Sequence, residues 1–327
     1  MPHDHAAPSG HGHDHSRDHG HNHGHNHGHG HAGHHHAPAT FGRAFAIGAA
    51  ANAAFVVLQV FYGLAANSVA LLADAVHNLG DVLGLLIAWG AAVLTQRAPT
   101  PRRTYGWGRS SILAALGNAV VLLLGCGGIA VEALGRFAHP APVGAWQVML
   151  VAAAGIVVNG GTALLFMRGR HGDLNVRAAF LHLAGDAGVS LGVVLSSALI
   201  LWTGWLWLDP LTSLGIVALI TWGTWGVLRQ SADLAMDAVP AGVDQAAVQA
   251  ALEGLPGVIE VHDLHIWGLS TTRTALTAHL VAAGPDPALV HAACAMLRDR
   301  FGLDHATLQV EEGEAAFACA LRPAGVV

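Results

Sequence analysis

The sequence predicts an all-α bundle of six transmembrane helices followed by a small cytoplasmic α+β domain. Of the 327 residues, 53 % are hydrophobic and only 11 % are charged, whereas soluble domains carry about 25 % charged residues. Six apolar stretches each reach about 20 residues, the length that crosses a bilayer. After Pro240 the composition changes to that of a soluble domain. These observations predict a membrane protein with a soluble extension.

Four segments follow from this pattern. We expect a histidine-rich cytoplasmic arm over residues 1–40, a six-span membrane domain over 41–235, a small cytoplasmic α+β domain over 236–315, and a tail over 316–327. Fifteen of the 24 histidines lie in the first 36 residues, alternating with Gly, Asn and Asp. Such a composition cannot bury a core, so we predict a disordered arm. Its imidazoles suit the buffering of metal ions.

The predicted spans and the loop charges together set the orientation in the membrane. The spans lie near residues 43–65, 69–95, 109–135, 145–167, 177–203 and 207–229. Nine arginines flank the spans on one side and only Arg136 lies on the other. The positive-inside bias therefore predicts that both termini lie in the cytoplasm. The net charge of −6, without any basic block, argues against a nucleic-acid partner.

The segment after Pro240 predicts the element order αββαβ. Helical patterns occur in VDQAAVQAALEGL and DPALVHAACAMLRDRF, and strand patterns in GVIEVHDLHIWGLS, TRTALTAHLVAA and HATLQVEE. This order indicates a ferredoxin-like α+β sandwich. Because the core of so small a domain is marginal, we expect a partner or a bound metal to help it stay folded.

Ionisable residues inside the apolar spans point to function. In LLADAVHNLGD, His77 and Asp81 are four residues apart and share one face of a helix. His182 and Asp186 repeat this spacing in the fifth span. A buried Asp costs about 2.5–3.5 kcal/mol on insertion scales, and such residues mark ion pathways. Two imidazoles and two carboxylates form a tetrahedral zinc site in which the ion neutralises both acids. Asp74, one turn earlier, is expected to support ligands or to pack between helices.

At these residues the sequence resembles the cation diffusion facilitator family, in particular its bacterial zinc exporters. The matching stretches are SVALLADAVHNLGDVLGLL, TYGWGR, DLNVRAAFLHLAGDAGVSLGVV, DPLTSLGI and GVIEVHDLHIWGL. The resemblance implies six transmembrane helices and a metallochaperone-like cytoplasmic domain over 236–315 that binds metal and forms a homodimer. It also implies metal–proton exchange across the inner (plasma) membrane.

The resemblance also implies two sets of metal ligands. The transport site would consist of His77, Asp81, His182 and Asp186. A cytoplasmic site, holding Zn²⁺ as a structural or regulatory ion, would consist of His262, His279, His305 and Glu311. Strand alternation predicts that His262 and His265 lie on opposite faces and do not share an ion as direct ligands.

This chain also departs from the family pattern. Many relatives carry an acid where this chain has Ser111, after the YGxxR stretch. The loop over 97–108 contains no His or Asp, so the loop metal site of some members should be absent.

The sequence therefore predicts a divalent metal exporter, most simply for Zn²⁺, that exchanges cytoplasmic metal for protons by alternating access. Protons compete with metal because ligating imidazoles must be neutral and carboxylates ionised. Export of Co²⁺, Ni²⁺, Cd²⁺ or Fe²⁺ on the same scaffold is the first alternative.

Three further classes of protein are less favoured. An intramembrane metalloenzyme needs an open position for water, and four candidate ligands leave none. A haem protein could use His77 and His182 as axial ligands, but the aspartates four residues beyond them argue against it. A membrane-anchored metal store would need only one anchoring helix, not six spans.

Overall fold

The computed structural model describes residues 43–95, 97–166, 174–284 and 286–312. The predicted histidine-rich arm and C-terminal tail lie outside these residues. The helices before the cytoplasmic domain are α1 (Arg43–Ala65), α2 (Val69–Thr95), α3 (Ser110–Ala138), α4 (Ala145–Phe166), α5 (Leu174–Thr203) and α6 (Leu208–Ala235). The remaining elements are α7 (Gln245–Glu253), β1 (Val258–Gly268), β2 (Thr274–Ala282), α8 (Pro287–Phe301) and β3 (His305–Glu312).

The first six helices coincide with the six predicted spans to within three residues at each end, except that α6 continues six residues further, to Ala235. Among the described residues, α2 to α6 each contain a stretch long and apolar enough to cross a membrane, and α1 adds a shorter apolar stretch over Ala50–Ala65. Leu124, Val131 and Trp222 are each more than 70 % exposed on the outside of the bundle. Soluble proteins rarely expose so much apolar surface, whereas helices that face lipid do.

Helix α2 lies at the centre of the bundle, in contact with α1, α3, α5 and α6. Gly80 lets α3 approach, because a Cβ at this position would lie 2.6 Å from a methyl group of Leu122. Close approach through small residues is how helices pack where no hydrophobic effect drives them together. The helix that carries His77 and Asp81 is therefore held on several sides.

The N-terminal end of α2 is fixed by a buried carboxylate on α6. Asp209, which is 2 % exposed, accepts hydrogen bonds from the Ser68 hydroxyl and from the Val69 amide, the latter at 2.8 Å. This carboxylate satisfies free amides at the start of α2 and suits the positive end of the helix dipole. Arg136 adds a 2.7 Å hydrogen bond to the side-chain oxygen of Asn67 in the preceding turn.

The cytoplasmic domain has the predicted αββαβ order. Its sheet has the order β1-β2-β3, with β1 and β2 antiparallel and β2 and β3 parallel. Both helices begin at an Asp N-cap, since Asp244 and Asp286 accept hydrogen bonds from amides of the first turn. The core between helices and sheet contains fully buried Val248, Leu276 and Leu297.

The loop between β1 and β2 contacts the start of α3. The Thr271 amide donates to the Ser111 hydroxyl at 3.1 Å. A Cβ at Gly108 would lie 2.6 Å from the carbonyl oxygen of Leu269, so this backbone approach requires glycine. The ring of Tyr105 lies edge-on to that of His305, with 5.5 Å between centroids. The cytoplasmic domain thus contacts the end of the bundle at which α2 terminates and α3 begins.

Candidate metal centres

Helices α2 and α5 bring their two His-x-x-x-Asp pairs together. His77 Nε2 lies 2.9 Å from Asp186 Oδ1, and His182 Nε2 lies 3.5 Å from Asp81 Oδ1. Each imidazole therefore contacts the carboxylate of the opposite helix. His182 Nε2 also lies 3.7 Å from the second oxygen of Asp186. Asp186 consequently lies between the two histidines.

The geometry of this helix cluster (His77, Asp81, His182 and Asp186) suits a divalent cation. Ligand atoms of His77, Asp81 and Asp186 all lie within 4.8 Å of one another. The side chain of His182 is half exposed, whereas that of Asp186 is only 7 % exposed. An ion with ligand bonds of about 2.0–2.2 Å would join these donors after small side-chain movements. All four side chains predicted from the sequence converge, and His182 lies at the accessible edge.

Asp74 points into a separate group of polar side chains. Gln59 Nε2 donates to Asp74 Oδ2 at 2.7 Å, and the Ser190 hydroxyl donates to the same oxygen at 3.3 Å. Asp74 thus joins α2 to α1 and α5, in keeping with the helix-packing role expected from its position. Gln59 and Ser190 were not predicted from the sequence, because single polar residues in apolar helices have no distinctive spacing.

A second cluster, the sheet cluster, consists of His262, His279 and Glu311. His262 on β1 lies opposite His279 on β2, with 5.2 Å between ring centroids. Glu311 on β3 reaches both, with Oε1 at 2.8 Å from His279 Nδ1 and Oε2 at 3.4 Å from His262 Nε2. Ligand atoms of all three residues lie within 4.8 Å of one another. Three adjacent strands therefore form a compact donor set.

The hydrogen bonding of His262 fits a metal ligand. Its side chain is 5 % exposed, and neither ring nitrogen has a hydrogen-bond partner among the described residues. A buried polar atom without a partner carries a free-energy penalty of about 1–3 kcal/mol. A metal ion bound through Nε2 and Glu311 would remove that penalty for one nitrogen.

The prediction that His262 and His265 lie on opposite faces is wrong, because β1 contains a bulge. His262 pairs with His279 and His265 pairs with Thr277, so three steps on β1 match two on β2. An extra residue reverses the alternation beyond it. Asp263 at the bulge has a φ of 50°, and its carboxylate lies 2.8 Å from His265 Nε2 and 3.7 Å from His279 Nε2. No pattern in the sequence signals this bulge.

The prediction that His305 joins the same donor set is also corrected. His305 begins β3 and pairs with Ala275, whereas Glu311 pairs with Val281 near the other end of the strand. Six residues of strand span about 20 Å. The imidazole instead contacts Tyr105, so within one chain His305 lies far from the sheet cluster.

Two family models match nearly all of the described chain. The model for the cation efflux transmembrane domain matches residues 45–234, and the model for the cation efflux protein cytoplasmic domain matches residues 240–313. The chain belongs to the cation efflux family. Cation efflux proteins are transporters, so the metalloenzyme, haem and storage hypotheses are set aside, and a multi-pass membrane protein that exports divalent metal cations remains.

Individual relatives agree with this assignment to the cation efflux family. The cation efflux system protein CzcD of Alcaligenes sp. is 33 % identical, over 86 % of this chain and 90 % of the relative. Zinc transporter ZitB of Escherichia coli is 35 % identical, over 80 % and 84 %. The cadmium, cobalt and zinc/H(+)-K(+) antiporter of Bacillus subtilis is 31 % identical, over 85 % and 92 %. A solved structure, the metal-bound C-terminal domain of the CzcD transporter from Cupriavidus metallidurans, is 37 % identical over 21 % of this chain and 99 % of that chain, with a TM-score of 0.19.

Proposed function

We propose that this protein exports Zn²⁺ from the cytoplasm in exchange for protons, with the helix cluster as its transport site. The observation that carries the proposal is the cross-pairing of two imidazoles with two carboxylates from α2 and α5. Two neutral nitrogens and two anionic oxygens match the ligand preference and the charge of Zn²⁺. The zinc transporter ZitB is among the relatives of this chain.

Proton exchange follows from the chemistry of the same four side chains. A carboxylate must be ionised and an imidazole neutral before either binds metal, so loading expels protons and protonation favours release. An imidazole in water titrates near pH 6.5, close to the pH of a cytoplasm. A proton gradient directed inward would therefore drive metal outward as the cluster opens alternately to the two sides.

The proposed orientation places both termini in the cytoplasm of an inner-membrane homodimer. The nine-to-one distribution of arginines supports this topology. The match to the cytoplasmic domain of cation efflux proteins supports a dimer-forming role for residues 240–313. The sheet cluster would hold a structural or regulatory Zn²⁺ through His262, His279 and Glu311, and the histidine-rich arm would collect metal on the same side.

Reconstitution into vesicles with an acidic interior tests the proposal. Wild-type protein should accumulate zinc when the cytoplasmic face points outward, and dissipating the pH gradient should stop accumulation. His77→Ala and Asp186→Ala should abolish this flux, because each removes a donor from the centre of the helix cluster. His291→Ala, on the exposed face of α8, is the control and should transport normally. Undiminished zinc flux in both cluster variants would end the assignment, and parallel assays with Co²⁺, Ni²⁺ and Cd²⁺ decide which metal is exported.

A further inference from the structure

A second polar layer lies one helical turn from the helix cluster. It consists of Gln59 on α1, Asp74 on α2 and Ser190 on α5, and Asn78, next to His77 on α2, is hydrogen-bonded to it through Gln59. Gln59 and Ser190 are 0 % exposed, Asp74 is 1 % exposed and Asn78 is 8 % exposed. Four polar side chains so deeply buried in a membrane bundle require a structural or functional reason.

The layer lies on the side of the helix cluster away from the cytoplasmic domain. Asp74 precedes His77 by three residues, toward the N-terminal end of α2, and Ser190 follows Asp186 by four, toward the C-terminal end of α5. The cytoplasmic domain contacts the other end of the bundle, at the start of α3. One turn of helix rises about 5.4 Å, so the layer is a single short step beyond the helix cluster.

The hydrogen bonds of the layer leave one carboxylate oxygen free. Gln59 Nε2 and the Ser190 hydroxyl both donate to Asp74 Oδ2, and Asn78 Nδ2 donates to Gln59 Oε1 at 2.9 Å. Asp74 Oδ1 is buried, and no donor among the described residues binds it. The side chains from α1 and α5 thus hold the carboxyl group in a fixed orientation while its second oxygen stays available.

Asp209 shows what a purely structural buried carboxylate looks like in the same bundle. Both of its oxygens accept hydrogen bonds, from the Ser68 hydroxyl and from the Val69 amide. Asp74 has two donors on one oxygen and none from the described chain on the other. Helix packing accounts for Asp209 completely, but it does not account for Asp74 Oδ1.

We infer that Asp74, Gln59 and Ser190 form a second cation position, through which the transported divalent ion passes after it leaves the helix cluster. The inference rests on the proposed function for the direction of transport. One carboxylate with the hydroxyl oxygen of Ser190, and without imidazole, binds a transition-metal ion more weakly than two imidazoles and two carboxylates do. Weak binding at successive positions is what lets an ion leave a transport path.

Transport kinetics of Asp74→Asn test this position. The variant keeps an acceptor for Gln59 and Ser190 but removes the negative charge. We expect kcat for zinc to fall about tenfold while KM, and zinc affinity measured on the purified protein, stay within about twofold of wild type. Unchanged affinity also shows that the variant is folded. Asp74→Asn with wild-type kcat would overturn the inference, as would a loss of zinc affinity equal to the loss of kcat.

A matched pair of substitutions separates ion contact from packing. Asp74→Cys and Asp74→Ser introduce side chains of similar size, but only cysteine offers a soft thiolate ligand. If the ion touches this position, the ratio of Cd²⁺ to Zn²⁺ turnover should differ between the two variants by about fivefold or more. Equal ratios would overturn the inference and leave Asp74 a packing or proton-binding residue.

The outcomes distinguish this inference from the proposed function. If wild-type protein accumulates zinc and Asp186→Ala does not, the proposed function stands whatever Asp74 variants do. If Asp186→Ala transports normally, the helix cluster is not the transport site. The order of binding, first at the helix cluster and then at Asp74, then has no support either.

Discussion

The helix cluster and the sheet cluster combine the same residue types on different secondary structures. In the helix cluster, two imidazoles and two carboxylates come from two helices more than 100 residues apart in sequence. In the sheet cluster, two imidazoles and one carboxylate come from three neighbouring strands. A helix displays ligands at i and i+4, whereas a sheet assembles them only through strand register. The two clusters offer similar ligands, but only the ligand spacing of the helix cluster can be recognised in the sequence.

The two clusters also differ in what surrounds their charges. Two aspartates in the helix cluster lie between membrane-spanning helices, where an uncompensated charge carries a large free-energy penalty. The sheet cluster has a single carboxylate, Glu311, whose side chain is 21 % exposed at the sheet edge. Removing a donor should therefore have a larger effect in the helix cluster.

Asp186→Asn should have the largest effect. Asp186 contacts both histidines of the helix cluster, so its loss should weaken zinc binding there by at least about 100-fold, beyond the 10–100-fold typical of residues that only support a ligand. Zinc titration of the purified protein measures this affinity, in a Glu311→Gln background that removes a ligand from the sheet cluster. Asp81→Asn is the matched control and should reduce the zinc affinity of the helix cluster by a smaller factor. A larger loss for Asp81→Asn would reverse the central role given to Asp186.

Lowering the pH should weaken zinc binding at both clusters. Each has two imidazoles that must be without a proton on the nitrogen that binds metal, so protons compete with zinc and zinc affinity falls as the pH falls. Zinc affinity should drop by up to about 100-fold per pH unit when two imidazoles bind. Titrations of Glu311→Gln and Asp186→Asn from pH 5 to 8 isolate the helix and sheet clusters respectively. A slope of only tenfold per unit for the helix cluster would show that half-exposed His182 does not bind the ion.

Glu311→Gln should remove the ion of the sheet cluster with a smaller effect on transport. Zinc at about 100 times its Kd stabilises a protein that binds it by about 2.7 kcal/mol. In an Asp186→Asn background, which weakens zinc binding at the helix cluster, zinc should therefore raise Tm, and adding Glu311→Gln should remove that rise. Glu311→Gln alone should reduce zinc flux less than tenfold. His305→Ala is the control, since its side chain lies far from the sheet cluster, and it should retain the rise. Loss of the rise in His305→Ala would restore His305 to the ligand set.

Gly108→Ala should have the smallest effect on metal binding. It tests whether metal binding at the sheet cluster affects transport through the helix cluster. A Cβ at this position would push the Leu269 backbone away from α3, at a cost of about 1–3 kcal/mol. Thermal unfolding with and without zinc measures this cost. Gly117→Ala is the control, since no atom lies within 4 Å of its added Cβ. If Gly108→Ala also changes the zinc flux of the helix cluster, the β1–β2 loop transmits the state of the sheet cluster.

Features that depend on local patterns could be predicted from the amino-acid sequence alone. Hydropathy located the six helices, because a span needs only length and apolar composition. Helical periodicity placed His77 with Asp81 and His182 with Asp186, because residues four apart share a face in any helix. Helical and strand patterns likewise predicted the αββαβ order of the cytoplasmic domain.

Which of these residues meet depends instead on the packing of segments far apart in the chain. The bulge at Asp263 reversed the face expected for His265, and strand register separated His305 from Glu311. Helix rotation and packing placed Asp186 between two histidines and brought Gln59 and Ser190 to Asp74. Register, bulges and helix rotation are set by contacts between distant segments, and local patterns carry no information about such contacts.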